Sequence, residues 1–220
     1  CGERKTVDPG ASYLLSSCFD DSCPPPRIKH CMNFTEANTL IEQIQAVSIM
    51  TNEEREYLFT LARDPANHPI MEVGAAAGGT TILLALAAGE CYAIDNGQGE
   101  DHRLRFHANL QAAGVQDKVL FYGGDSITLA GLFPADFFGM ILLDADHEGE
   151  HPYQDLTAWA PKLRPGGYLL ADDLSDSFPA VTRGVIRFLT ENHEFSYVTS
   201  FERLDGSQRQ IKLLVLRKKT

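Results

Sequence analysis

The sequence contains 220 residues, of which 44% are hydrophobic and 22% are charged, as in an ordinary globular protein. This length allows one well-buried domain with additions, or at most two small domains. The formal net charge of −11 argues against a nucleic-acid partner, because proteins that bind the phosphate backbone usually present a basic face.

The sequence shows neither a membrane segment nor a signal peptide. No apolar run approaches the ~18 residues of a membrane-crossing helix, and the first ten residues, CGERKTVDPG, lack an apolar core. We therefore expect a soluble, cytoplasmic protein without a membrane partner. The chain starts at Cys1 rather than at Met, which suggests a processed product or a domain of a longer protein.

Four of the five cysteines lie in the first 31 residues, at Cys1, Cys18, Cys23 and Cys31. Their spacing does not match the C-x2-C pattern of common zinc sites. A loosely ordered, proline-bearing arm with reduced thiols is the favoured interpretation, and a zinc site is the alternative. Cys91 falls instead within a predicted core strand.

Two helices are predicted between this arm and residue 66. Residues 33–50, NFTEANTLIEQIQAVSIM, carry apolar side chains at helical spacing. Thr51 and Glu54 form a capping-box pattern that starts a second helix, which should end near Pro65. We assign residues 1–66 to an N-terminal arm and helices that form part of the substrate pocket or its lid, and residues 67–220 to a cofactor-binding domain.

From His68 onwards, strand patterns alternate with helix patterns. This alternation predicts right-handed βαβ units and an α/β fold with a doubly wound, Rossmann-like, mostly parallel sheet. The predicted strands are residues 69–74, 91–96, 118–125, 137–146, 166–173, 195–201 and 209–217. The predicted helices are residues 78–89, 102–114, 126–133, 152–163 and 180–192. The last two strands follow each other across residues 202–208, so they should form an antiparallel hairpin.

The loop after the first predicted strand, within MEVGAAAGGTT at residues 71–81, is rich in glycine and alanine. A dinucleotide fingerprint, G-x-G-x-x-G, that starts at Gly74 would need a second glycine where Ala76 stands. The pattern Glu72-x-Gly74-x-x-x-Gly78 instead resembles the first motif of the class I S-adenosylmethionine-dependent methyltransferases. That cofactor carries a ribose, a sulfonium and an amino-acid tail, but no phosphate.

The resemblance implies cofactor-binding residues at the ends of the first four strands of the domain. Asp95, 21 residues after Gly74, suits hydrogen bonds to ribose hydroxyls in either cofactor class. Asp125 and Ser126 would lie near the adenine, although Asp125 could instead only cap the following helix. The predicted cofactor-binding residues are Glu72, Gly74, Ala75, Gly78, Thr80, Asp95, Asn96, Gly124, Asp125, Ser126 and Asp144.

Carboxylates follow the fourth and fifth predicted strands of the domain, at Asp144 and at Asp172 and Asp173. Adjacent parallel strands lie ~4.8 Å apart, so these groups can converge on one ion. Oxygen ligands favour a hard ion such as Mg²⁺, which would also relieve the repulsion between three crowded carboxylates. Neighbours on a regular strand point to opposite faces, so the chain must turn for Asp172 and Asp173 to reach one ion. Alternatively, one or both are solvated loop residues or helix caps.

His147 comes three residues after Asp144. Imidazole is a poor ligand for Mg²⁺, but it is well matched to removing a proton from a hydroxyl. His147 is therefore the predicted catalytic base, with an ordinary loop histidine as the alternative. Asp146 either orients the imidazole or is solvated. Glu148, Glu150 and His151 are interpreted as loop or helix-start residues, and Trp159 as a packing residue.

Residues 142–174, LLDADHEGEHPYQDLTAWAPKLRPGGYLLADDL, resemble the second half of a metal-dependent small-molecule O-methyltransferase, and the likeness covers roughly residues 68 to 217. Catechol-type members carry a lysine and an Asp-Asn pair where this chain has His147 and the pair Asp172-Asp173. The pattern is closer to the O-methyltransferases of antibiotic sugars and to cephalosporin-hydroxylase-like proteins. The resemblance implies S-adenosylmethionine and Mg²⁺ as cofactors. It implies a hydroxylated small molecule as acceptor, such as a sugar, a polyketide or another natural product, with a vicinal diol as one option.

Three other functions are compatible with this sequence. A nucleotide-cofactor oxidoreductase could share the architecture, although Ala76 and the acidic residues count against it. A non-catalytic domain that binds S-adenosylmethionine, or a partner protein for a hydroxylation reaction, would also keep the pocket. A homo-oligomer is compatible with the sequence, which does not identify the acceptor.

Overall fold

The computed structural model describes residues 32–46, 50–97, 100–205 and 208–220. The predictions for the cysteine-bearing arm, and for residues 47–49 of the first predicted helix, lie outside these ranges. The described α-helices are α1 (Phe34–Gln43), α2 (Asn52–Arg63), α3 (Gly79–Ala88), α4 (Glu100–Ala112), α5 (Ser126–Ala130), α6 (His151–Trp159) and α7 (Pro179–Glu191). The described strands are β1 (Ile70–Val73), β2 (Cys91–Asp95), β3 (Val119–Gly123), β4 (Phe138–Leu143), β5 (Leu163–Ala171), β6 (Phe195–Asp205) and β7 (Gln208–Lys218).

The described strands form one sheet in the order β3-β2-β1-β4-β5-β7-β6. Strands β1 to β5 pair in parallel, whereas β7 is antiparallel to both β5 and β6. The predicted α/β fold is therefore confirmed, with its mostly parallel sheet and its terminal antiparallel hairpin.

The hairpin strands are longer than predicted. β6 continues to Asp205 and β7 begins at Gln208, and Arg203 pairs with Gln210 within this extension. The connection predicted at residues 202–208 is therefore wrong in its extent. Its residues are polar, but a ladder between strands is built from backbone groups, which pair whatever the side chains are.

The strand order reverses between β1 and β4, which are neighbours in the sheet although β2 and β3 come between them in the sequence. Val73 is in register with Leu143, and Leu143 is in register with Ala171. The carboxyl ends of β1, β4 and β5 are thus level with one another. The crevice beyond such a reversal is where open α/β sheets bind their ligands.

The two helices before the sheet begin with capping boxes. The side chain of Asn33 accepts a hydrogen bond from the backbone of Glu36, and the Glu36 carboxylate accepts one from the backbone of Asn33. Thr51 and Glu54 make the same reciprocal pair, which confirms the predicted start of the second helix. That helix ends at Arg63, close to the predicted end.

The first predicted helix, residues 33–50, is too long. α1 ends at Gln43, and Gln45 has a left-handed φ of 55°. A continuous right-handed helix does not allow that conformation. Ala46 and Met50, two of the apolar residues on which the longer prediction was based, are buried.

Apolar side chains cover both faces of the sheet. One cluster contains Ala37 of α1, Leu58 of α2 and Leu83 of α3, all fully buried. α1 and α2 therefore share the core of the sheet, while the functional boundary at residue 66 stays a prediction. The other cluster includes Trp159, whose ring centroid lies 5.8 Å from that of Phe133. The packing role predicted for Trp159 is confirmed.

Cys91 is a free thiol that is fully buried in β2, as expected for a residue of a core strand. Within the ranges that the structure describes, no helix is long and apolar enough to span a bilayer.

Candidate active site

An open cleft of about 780 Å³ lies beyond the carboxyl ends of the parallel strands. Sites for small molecules usually measure ~300–1,000 Å³, so this cleft is large enough to be a ligand-binding site. Ten of the residues predicted from the sequence line it: Gly74, Asp95, Asn96, Gly124, Asp125, Ser126, Asp144, His147, Asp172 and Asp173.

The loop after β1 turns sharply at the floor of the cleft. Gly74 has a left-handed φ of 98°, and a Cβ atom at this position would overlap the backbone carbonyl of Asp144. Only glycine fits such a close approach of two backbones. Ala76, which stands where a dinucleotide fingerprint has its second glycine, also has a positive φ, of 44°.

Asp95 links the loops that follow β1 and β2. One of its oxygens accepts a hydrogen bond from the backbone of Ala76 at 2.8 Å, and the other accepts one from the backbone of Gly97 at 2.7 Å. A carboxylate has about four acceptor positions, so capacity is left for two more donors. The exposed edge of this carboxylate can therefore bind neighbouring hydroxyls, such as those of a ribose.

Four predicted cofactor-binding residues, Glu72, Ala75, Gly78 and Thr80, are not among the residues that line the cleft. Glu72 is buried and accepts a hydrogen bond from the Thr81 hydroxyl. Burial is the largest of the effects that raise the pKa of Glu72 to about 8, against the lowering effect of Thr81. Glu72 therefore supports the loop from the core, and the binding role of these four residues stays a prediction.

Asp125 caps α5, and it also lines the cleft. Its carboxylate accepts hydrogen bonds from the Thr128 backbone at 2.8 Å and from the Thr128 hydroxyl at 2.6 Å, and these bonds hold its pKa below the ordinary value. The helix-cap interpretation of Asp125 is therefore confirmed. Its predicted place near an adenine stays a prediction, and the two roles are compatible.

Asp155 is a cleft residue that the sequence did not reveal. This acid of α6 is 5% exposed, and it accepts a hydrogen bond from the Ser126 hydroxyl. Burial raises its pKa to about 6, although Ser126 and His151 act in the opposite direction. In the sequence, Asp155 could be noticed only as a single acid on the buried face of a predicted helix. Such an acid needs a hydrogen-bond partner when it is buried.

Three carboxylates gather where β4 and β5 end. The Asp144 backbone donates to Val73, and the Asp172 backbone donates to Leu143, so both residues continue the sheet by one position. Asp173 then has a left-handed φ of 63°. The turn that the sequence required for Asp172 and Asp173 is therefore present, and both side chains line the cleft.

His147 lies against two of these carboxylates. Its Nε2 atom is 3.1 Å from Asp173 Oδ2 and 3.8 Å from Asp144 Oδ1, and its ring packs on that of Phe178 with centroids 4.4 Å apart. Asp146 uses one oxygen to accept a hydrogen bond from the backbone of Glu148. The carboxylates that face the imidazole are therefore those of Asp144 and Asp173.

Two residues of the acid cluster, which we define as Asp144, Asp172 and Asp173, form with His147 a group whose geometry fits a divalent cation: Asp144 and Asp173. Ligand atoms of Asp144, Asp173 and His147 all lie within 4.8 Å of one another. Within the described part of the chain, Asp172 Oδ1 and His147 Nε2 are buried atoms that make no hydrogen bond of suitable geometry, although His147 Nε2 lies 3.1 Å from Asp173 Oδ2. Burial and the neighbouring Asp144 raise the pKa of Asp172 to about 7, against the effect of Lys212. A cation would satisfy these atoms and would offset the crowded charge.

Lys212 of β7 is the second residue that the sequence analysis missed. Its ammonium contacts Asp173 Oδ1 and lies 3.8 Å from Asp172 Oδ2. The only signal was a lysine between the apolar residues Ile211 and Leu213 of a strand. Because the position of β7 beside β5 was not predicted, this lysine could not be assigned to the cluster.

Residues 71–174 match the family model of a methyltransferase domain. The match begins in β1 and ends directly after the pair Asp172-Asp173, so it spans the glycine loop and the acid cluster. Among curated protein sequences, none matches this chain.

Solved structures share the fold. An O-methyltransferase from Bacillus cereus in complex with SAH is 18% identical, with a TM-score of 0.63 over 84% of this chain and 90% of that chain. The O-methyltransferase TomG from Streptomyces achromogenes, which is involved in tomaymycin synthesis, was solved in complex with SAM. It is 19% identical, with a TM-score of 0.64 over 87% of this chain and 91% of that chain. The tRNA (m1A58) methyltransferase TrmI from Aquifex aeolicus is 16% identical, with a TM-score of 0.58 over 82% of this chain and 76% of that chain. At these identities the likeness concerns the fold.

Proposed function

We propose that this protein is a class I S-adenosylmethionine-dependent methyltransferase that methylates a hydroxyl of a small molecule with the help of Mg²⁺. The match of residues 71–174 to a methyltransferase domain and the fold shared with O-methyltransferases support this proposal. The observation that carries the proposal is the contact between Gly74 of the glycine loop and the backbone of Asp144 in the acid cluster. The loop where we expect the methyl donor and the cluster where we expect the metal would thus adjoin within one cleft.

The cofactor would lie along the ends of β1, β2 and β3. Asp95 would accept hydrogen bonds from the ribose hydroxyls, since its carboxylate retains acceptor positions. Gly124 and Ser126 line the part of the cleft where the adenine is expected. Gly74 would let the backbone approach the amino-acid tail. When bound, S-adenosylmethionine supplies an activated methyl group, so no covalent intermediate with the protein is needed.

Asp144 and Asp173 would hold the cation, with Asp172 beside them. A bound Mg²⁺ supplies a Lewis acid that lowers the pKa of a hydroxyl. His147 would then take the hydroxyl proton on its imidazole, and the nearby carboxylates of Asp144 and Asp173 would stabilise the charged ring. Much of the rate should come from holding the acceptor oxygen in line with the methyl group.

A small natural product, such as a sugar, a polyketide or another molecule with neighbouring hydroxyls, is the acceptor class that we propose. TomG acts in the synthesis of a small molecule, whereas TrmI acts on tRNA, so the fold alone does not select the acceptor. The net charge of −11 disfavours a polyanion. Residues 1–66 would form part of the pocket or its lid, and the chain would act in the cytoplasm.

Calorimetric titration with S-adenosylmethionine, with and without Mg²⁺, tests the proposal directly. We expect saturable binding of the cofactor and of its demethylated product, and transfer of a labelled methyl group to hydroxylated acceptors only when Mg²⁺ is present. NADH serves as the control ligand. Saturable NADH binding without any response to S-adenosylmethionine would assign the cleft to an oxidoreductase and would refute the proposal.

A further inference from the structure

Lys212 is a buried cation at the rim of the acid cluster. Its side chain is 12% exposed, and its ammonium lies 5.9 Å from the centre of the Phe178 ring. Burial of an ammonium is unfavourable unless an anion compensates it. Asp173, in direct contact, and Asp172, at 3.8 Å, supply that compensation.

The backbone of the sheet fixes the position of this lysine. Ala171 pairs with Leu214 in the antiparallel ladder between β5 and β7, and the Leu174 backbone donates a hydrogen bond to the Lys212 carbonyl at 3.1 Å. Lys212 therefore stands opposite Asp173 in the continuation of the same ladder. Strand pairing thus fixes the backbone from which the Lys212 side chain reaches the cluster.

The position of Lys212 lowers the net negative charge at the acid cluster. When ionised, Asp144, Asp172 and Asp173 carry three negative charges, and Lys212 reduces the total to two. Glu54 and Arg203, which also act on Asp172, form an ion pair with each other and add no net charge. The remaining two charges equal those of one divalent cation.

We propose that Lys212 is a positioning residue that acts as the built-in counter-ion of the acid cluster: it holds Asp173 in place and limits the affinity of the cluster for a divalent cation. This inference rests on the proposed metal-dependent function. Without a metal, the ammonium relieves the repulsion between the carboxylates. With a metal, it repels the ion and so lowers the affinity of the cluster for it. Lys212 thereby sets the metal concentration at which the site fills.

The variant Lys212→Met tests the inference, with Lys218→Met as its matched control. Lys218 lies on the same strand, is equally exposed at 12%, and pairs with Asp136 rather than with the cluster.

Titration of the metal-free full chain with MgCl2 by calorimetry measures the affinity for Mg²⁺. Since a unit charge within a few ångströms acts strongly on a divalent ion, we expect Lys212→Met to bind Mg²⁺ roughly tenfold more tightly or better. Lys218→Met should bind it like the unchanged chain. Equal or weaker Mg²⁺ binding by Lys212→Met would overturn the inference.

Thermal unfolding in EDTA provides a readout that needs no metal. Lys212→Met should unfold at a lower temperature than the unchanged chain, because three carboxylates lose their counter-ion. Adding Asp173→Asn to this variant should recover much of the loss, since one of those carboxylates is removed. If no variant binds Mg²⁺, the metal-dependent function fails, while this unfolding comparison still decides whether Lys212 is a counter-ion. An unchanged unfolding temperature in Lys212→Met would refute that role.

Discussion

The carboxylate of Asp95 accepts a hydrogen bond from the backbone of Ala76 at 2.8 Å, so the acid at the end of β2 holds the glycine loop that follows β1. The residue expected to bind the ribose is thus fixed in place before any ligand arrives. Fixed acceptors lose little conformational freedom on binding, which favours affinity.

Replacing Asp95 by alanine should weaken the binding of S-adenosylmethionine by ~1–3 kcal/mol, because charge-assisted hydrogen bonds to the ribose are lost. Calorimetry measures the change. Asp117→Ala, at an exposed acid outside the cleft, is the matched control and should bind the cofactor normally. Unchanged affinity in Asp95→Ala would show that the ribose lies elsewhere.

Removal of the metal should abolish methyl transfer. EDTA should stop the reaction, and Mg²⁺ should restore it, as should Mn²⁺, which also accepts oxygen ligands. Asp144→Asn should raise the Mg²⁺ concentration needed for half-maximal activity, because one of the proposed ligands loses its charge. Full turnover in EDTA would place the protein among methyltransferases that need no metal.

Replacing His147 by alanine should lower kcat by ~10²–10⁴-fold if the imidazole takes the hydroxyl proton. Its affinity for the cofactor should barely change. His193→Ala, at an exposed histidine beyond α7, is the control and should keep full activity. His147 lies close enough to Asp144 and Asp173 to ligate the same metal ion as they would. The affinity for Mg²⁺ should therefore be measured in the same variant. A large loss of that affinity would make His147 a metal ligand rather than the base.

The metal-free protein should be more stable near pH 5 than near pH 8. Burial raises the pKa of Glu72 from 4.5 to about 8, so the folded state retains a proton that the unfolded state releases. This contribution to stability is fully present below pH 4.5 and is lost as the pH rises through about 8.

Urea unfolding in EDTA at several pH values measures that dependence. Glu72→Gln should flatten it by ~1–3 kcal/mol between pH 5 and pH 8. A smaller slope should remain, because the pKa values of Asp155 and Asp172 are raised in the same direction, to about 6 and about 7. If the variant and the unchanged chain showed the same slope, Glu72 would not be the buried acid responsible.

Features encoded by neighbouring residues could be predicted from the sequence. Thr51 and Glu54 cap a helix through contacts three residues apart, and the runs that became β1, β2 and β4 are apolar enough to specify buried strands. Gly74, Asp95 and Asp144 lie at the ends of predicted parallel strands. Their place in one cleft could be predicted because parallel strands present their carboxyl ends at the same edge of the sheet.

Features that depend on long-range pairing could not be predicted. Lys212 joins the acid cluster only because β7 pairs with β5, and Asp155 joins Ser126 only because α6 packs beside α5. Each of these residues has ordinary neighbours along the chain. The conformations of Gln45 and Asp173, each with positive φ, likewise follow from tertiary context that local spacing does not carry.

The absence of a side chain at Gly74 has a consequence for the energetics of the cleft. Because the backbone there leaves no space for even a methyl group beside the Asp144 carbonyl, a shift of Asp144 towards a cation would displace the turn at Gly74, where we propose that the methyl donor binds. Two ligands that move the same pair of backbones are thermodynamically linked, and each must change the affinity for the other by the same factor. The cofactor would then adjust how tightly the cation is held, and the cation would adjust how tightly the cofactor is held, without any direct contact between the two.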